Sequence, residues 1–137
     1  VVAGVLLRLG RLLASERYEQ AALGALRVVQ GLFARAPTGF GHALGAADFA
    51  LSKVREVAIV GDPDAPDTDA LLAEVRRRYR PNQVVALAAS ADGEAAAAVP
   101  LLAGRPPVDG RATAYVCEHF VCRRPVTEPE ALARQLG

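Results

Sequence analysis

Cys117, His119 and Cys122 stand within six residues as C-x-H-x2-C. Thiolate sulfur and imidazole nitrogen are the ligands zinc prefers, and paired thiols carry redox chemistry. The spacing fits neither use fully. A structural zinc site takes four ligands, commonly as well-separated pairs. The only other histidine, His42, lies far away in the first half of the chain, and no third cysteine exists. Redox pairs are typically C-x-x-C at a helix N-terminus, whereas these two cysteines straddle the end of a strand. A zinc or redox role and a disulfide pair therefore stay open. The plain expectation is two small buried side chains at a strand-to-loop transition, a common fate of free cysteine.

A second cluster follows Val57-Ala58-Ile59-Val60, where Gly61, Asp62 and Asp64 lead into Asp67 and Asp69. Ligands of open α/β sheets bind beyond the carboxyl ends of the strands, which is where this loop falls. A phosphate cradle needs free backbone N–H groups and glycines. This loop has one glycine, two prolines and several carboxylates, and matches neither G-x-G-x-x-G nor the Walker pattern. Asp62 and Asp64 could hold a divalent cation. The plainer expectation is that Asp64 or Asp67 caps the next helix. Ser15, Ser52 and Ser90 are the only serines, and none sits in G-x-S-x-G, so no nucleophile elbow is present. Arg76, Arg77, Arg78 and Arg80 read as a solvated helix C-terminus, where cations suit the dipole. No catalytic residue, cofactor or bound metal is expected.

The elements that must position these groups divide the chain in two. Val1 to Ala14 reads as a largely buried helix. Ser15 begins a second, whose apolar face is Tyr18, Ala22, Ala25, Val29 and Phe33. Pro37 ends it, and a third runs from about Thr38 to Ser52. Residues 57–60 then read as a buried strand, 67–80 as a helix with Leu71, Leu72, Val75 and Tyr79 inward, and 84–87 as a second strand, together one βαβ unit. Residues 88–98 are soft, prolines mark a surface connection up to Pro107, 113–117 is a third strand, and 130–136 a last helix. The fold class is therefore α/β: a helical hairpin array of about three helices on a small, mainly parallel three-stranded sheet. Residues 1–52 and 54–137 are expected to form one compact unit.

The 137 residues are enough for one domain, and a net charge of +1 gives no field for nucleic acid or an anionic membrane. No apolar run approaches the ~20 residues of a membrane span. Two cysteines are too few for a disulfide framework, so the default compartment is cytoplasmic. Lys53 is the only lysine, and the excess of Arg, Ala and Gly suggests a GC-rich, bacterial source. The absence of Met and the uncapped apolar start suggest a piece of a longer chain.

Ala112-Thr113-Ala114-Tyr115-Val116-Cys117, with Phe120-Val121-Cys122 and Pro125-Val126-Thr127-Glu128-Pro129, resembles the C-terminal end of the thioredoxin-domain family typified by spermatogenesis-associated protein 20. Val57 to Pro63, Leu71-Leu72 and the opening Leu6-Leu7-Arg8-Leu9 are similar as well. The resemblance implies a parent with an N-terminal thioredoxin-like domain and a six-hairpin, glycosidase-like toroid. Residues 1–52 would end that toroid, and 54–137 would be an attached α/β unit. The implied partners are the rest of the parent chain or a second copy through exposed helical faces. The implied role is a structural or interaction module; the residues themselves leave small-molecule or metal binding at the sheet's carboxyl edge, or a thiol or zinc role of the cysteine segment, as alternatives.

Overall fold

A computed structural model describes residues 1–137. Three helices come first: α1 (Val2–Leu13), α2 (Glu16–Val29) and α3 (Gly41–Leu51). Ala14, in the left-handed region at φ 51°, turns the chain between α1 and α2. Gly10 lets the two helices close, since a Cβ there would lie 2.6 Å from Glu19 Cγ. Pro37 opens a short 3-10 turn, Pro37–Phe40, so α3 begins at Gly41 rather than Thr38.

The sheet contains β1 (Arg55–Val60), β2 (Gln83–Ala88), β3 (Thr113–Glu118) and β4 (Val121–Cys122), in the order β2-β1-β3-β4. The expected α/β class and the βαβ unit are present, the latter as β1, α4 (Pro66–Arg76) and parallel β2. Two expectations are corrected. The sheet has four strands, and it is mixed, because β1/β3 and β3/β4 are antiparallel. Between β2 and β3 lie the five-residue α5 (Glu94–Ala98), the turn Pro100–Leu102 and an irregular stretch. After it, β3 runs along β1 in the opposite direction.

Strand alternation sorts the core onto two faces. Val57 and Ile59 of β1, with Ala114 and Val116 of β3, pack against Leu71 and Val75 of α4 and Leu132 and Leu136 of α6 (Pro129–Leu136). Ala58, Val84 and Ala88 turn the other way, onto Leu7, Ala22, Leu26, Ala46 and Phe49 of the three N-terminal helices and onto Leu101 and Leu102. The helices thus share a core with the sheet.

Three helix faces differ from their reading in the sequence. α1 is not largely buried: only Leu7 and Gly10 are, while Val1, Val2 and Val5 are 80%, 68% and 51% exposed. In α2 the inward residues are Ala22 and Leu26, and Ala25 is exposed. α4 stops at Arg76, three residues before Tyr79, so that ring leaves the inner face and is 91% exposed.

Candidate functional site

β3 and β4 form the hairpin that carries the cysteine segment. Glu118 pairs with Val121 and Cys117 with Cys122, which leaves His119 and Phe120 as a two-residue turn. Both take positive φ, 50° and 63°. Such a turn matches the right-handed twist of the strands but normally uses Asn or Gly. Neither residue signals it, which is why β4 is invisible to pattern reading.

The cysteines are not free buried thiols, as expected, but a disulfide with an S–S distance of 2.07 Å. Arg123 N–H donates to Val116 O at 2.9 Å. The register therefore places Cys117 and Cys122 as a non-hydrogen-bonded cross-strand pair, where opposed backbones come closest. β4 is the edge of the sheet, and its Cys122 is half-buried, whereas Cys117 is 1% exposed. With both sulfurs bonded to each other, neither is free to ligate zinc. His119 is engaged as well: its Nδ1 lies 2.9 Å from Arg11 Nη1. A guanidinium only donates, so Nδ1 accepts and the ring proton sits on Nε2.

Two charged residues that sequence reading missed complete the site. Arg105 is 9% exposed. Its Nη1 donates to Ala103 O at 2.9 Å, and its Nη2 lies 3.2 Å from Cys122 Sγ and 3.8 Å from Cys117 Sγ. Burial pushes this guanidinium below its ordinary pKa, while the charge of Glu56 pushes it back up. Glu56 sits on β1 opposite Cys117 and is fully buried. Its Oε2 accepts the Phe120 N–H at 2.7 Å, and its Oε1 lies 3.7 Å from Arg11 Nη1. Glu56 shares strand parity with the inward Ala58 and Val60, so period-2 reading could have flagged it. Nothing in the irregular stretch around Arg105 carries such a signal.

At the carboxyl edge of the sheet, the alternative place for a metal or ligand, the carboxylates are held by backbone contacts. Asp62 Oδ1 accepts the Asp64 N–H at 3.0 Å, which makes a local turn. Asp64 and Asp67 do not cap α4: Ala65 holds the cap position and Pro66 the first turn. Asp67 instead accepts from Thr68 N–H at 3.0 Å and Ala112 N–H at 2.8 Å, tying α4 to the start of β3. Gly61 permits this approach, because a Cβ would lie 2.6 Å from Thr68 Oγ1 and 2.7 Å from Ala112 Cβ. No three His, Cys, Asp or Glu side chains converge as a metal group. A cleft of about 560 Å³ opens instead beside Gln83, at the amino end of β2, lined by Arg76, Arg78 and Tyr79 among others.

The Ala112 N–H, with Thr68 N–H and Arg111 helping, holds the Asp67 carboxyl below the usual aspartate range. A depressed folded pKa stabilises the fold above the unfolded value, and that contribution is lost as pH falls through the folded one. Acid titration should therefore show wild-type stability declining below pH of about 3.9 more steeply than in Asp67→Asn, which has no carboxylate to protonate. Parallel curves for the two proteins would contradict the assignment.

Comparison with known proteins gives partial matches. It is 38% identical over 87 residues to spermatogenesis-associated protein 20 of Rattus norvegicus, a match covering 61% of the chain and 11% of that protein. The Mus musculus protein matches equally, and the Homo sapiens protein at 37%. The resemblance seen in the sequence thus holds, over part of the chain, and the chain spans about a tenth of the length of these relatives. They are mammalian, which overturns the bacterial expectation: Arg, Ala and Gly enrichment follows base composition and identifies no lineage. No family model and no solved structure matches. No helix is long and apolar enough to cross a membrane.

Proposed function

We propose that these residues form a non-catalytic structural and interaction module of a cytoplasmic thioredoxin-domain protein, docking through the α1–α3 layer onto the rest of the parent chain. The observation that carries this reading is the outer surface of that layer. Val1, Val2 and Val5 of the α1 region, Val28 of α2, Leu32 just beyond it and Leu51 of α3 are 43–89% exposed. Single exposed apolar residues are ordinary, but their concentration in one layer is what a covered surface leaves when its cover is missing. The relation to 11% of a much longer protein supports a cover from the same chain. A cytoplasmic setting requires the Cys117–Cys122 disulfide to be transient, as cytosolic disulfides usually are.

Light scattering tests the docking surface. The isolated chain should self-associate through these helices, and Val5→Glu with Val28→Glu should return it to monomer without lowering its thermal midpoint. A wild-type chain that is monomeric at high concentration would remove the surface from consideration.

A further inference from the structure

Beyond docking, the geometry points to the Cys117–Cys122 disulfide as a thiol-exchange site that accepts two electrons from a dithiol, with Cys122 as the attacked sulfur and Arg105 as the group that stabilises the departing thiolate. Three observations meet here. The pair crosses the last two strands at the open edge of the sheet, so no further strand covers β4. The two cysteines differ in exposure, Cys122 half-buried and Cys117 1% exposed, so Cys122 is the one placed to meet an incoming nucleophile. One buried guanidinium nitrogen touches both, at 3.2 and 3.8 Å.

A disulfide has no charge for a cation to stabilise, but its reduced form does. The thiolate is both the nucleophile and the leaving group of exchange, and a neighbouring cation lowers its pKa. Arg105 is kept out of water with its Nε unpartnered, so its charge acts on the sulfurs with little screening. The other charged and titratable groups around the pair are Glu56 from β1, Arg11 from α1 beyond it, Tyr115 along β3 and His119 in the turn. Glu56 opposes a thiolate. Its carboxylate is, however, turned to the Phe120 N–H and to Arg11, while Arg105 touches the sulfurs directly.

The exchange balances as follows. One thiolate of the dithiol attacks Cys122 Sγ, the Cys117–Cys122 bond breaks, and its electron pair leaves on Cys117 Sγ. A mixed disulfide now joins the dithiol to Cys122. The dithiol's second thiolate attacks its own bonded sulfur and expels Cys122 as a thiolate. The dithiol departs as a disulfide, oxidised by two electrons, and its two protons are available to the two cysteines. The hairpin then loses its covalent tie, leaving the His119–Phe120 turn held by the β3–β4 pairing and by Glu56 and Arg11.

Dithiothreitol serves as the probe, on the folded chain without denaturant. Two thiols should appear under native conditions, and iodoacetamide should then label Cys122 before Cys117. The pH dependence of that labelling should have its midpoint below the free-thiol value of about 8.5. Arg105→Gln should raise the midpoint and slow reduction roughly three- to tenfold, as expected when the leaving thiol becomes more basic. Arg105→Lys, which keeps the charge, should recover most of both. Thiols that appear only when the chain is unfolded would overturn the proposal, as would an ordinary midpoint. Should Arg105→Gln fail to fold, the wild-type midpoint and the Arg105→Lys rate decide alone, and neither depends on the docking surface.

Discussion

Phe49→Ala should lower the stability of the whole chain by about 3–5 kcal/mol, the usual cost of deleting a buried aromatic side chain. Phe49 is 1% exposed, among the largest fully buried side chains, and sits where α3 meets the sheet-facing core of Leu7, Leu26, Val84, Leu101 and Leu102. Arg8 lies over the ring, its Cζ 4.5 Å from the centroid, while its Nη2 donates to Pro81 O at 3.0 Å ahead of β2. Truncation therefore opens a cavity and also removes the surface that orients Arg8, a contact worth up to about 2 kcal/mol when desolvated. For a chain of this size the total stability is on the order of 10 kcal/mol, so the loss is a large fraction of it. Denaturant unfolding followed by far-UV signal and, with Tyr18 and Tyr79 replaced by Phe, by the fluorescence of the remaining Tyr115 reads the effect. A single coincident transition, shifted for both probes, is expected if the helices and the sheet unfold together. Two separated transitions, with only the helical one moved, would mean that residues 1–52 and 54–137 fold as separate units.

That shared core is the part of the fold that was legible in the sequence. The run Val57–Val60, the spacing of Leu71 and Val75 and the run Val84–Leu87 each reflect a buried face, and burial is what periodicity records. The misreadings have a common physical origin in interactions that pattern does not encode. β4 exists because two non-glycine residues accept the left-handed region. Its register is set by a disulfide that C-x4-C spacing leaves undecided, since the same spacing would suit two free thiols. The direction of β3 depends on how an irregular connection folds. Tyr79 fits the α4 stripe by spacing, but the helix stops at Arg76 and the residue faces water. Within the site, Cys117, His119 and Cys122 were visible by type. Arg105 was not, because it comes from sequence twelve residues before Cys117 and meets the sulfurs only through the tertiary fold.

Glu56→Ala should be the second severe substitution, at about 3–5 kcal/mol, because it strips one partner from a buried charged group and leaves the others in place. Arg11 would lose its fully buried partner at 3.7 Å, keeping the more exposed Glu19 at 3.3 Å, and Arg105 would lose the one carboxylate whose charge supports its protonated state. The Phe120 N–H would lose its 2.7 Å acceptor at a turn where two non-glycine residues already hold positive φ. Such conformations cost of order 1–3 kcal/mol each and persist only when their surroundings impose them. Glu56→Gln separates the contributions. Its amide oxygen can still accept from Phe120, while the charge is gone, so it should cost less, about 1–3 kcal/mol. Amide hydrogen exchange at Phe120 gives the local readout: much faster in the alanine variant, and near wild type in the glutamine variant. Equal destabilisation by the two variants would assign the effect to the charge alone. In that case Arg11 and Arg105, not the turn, are what Glu56 holds in place, and the alanine variant should show the same shift in Cys122 alkylation midpoint as the glutamine variant.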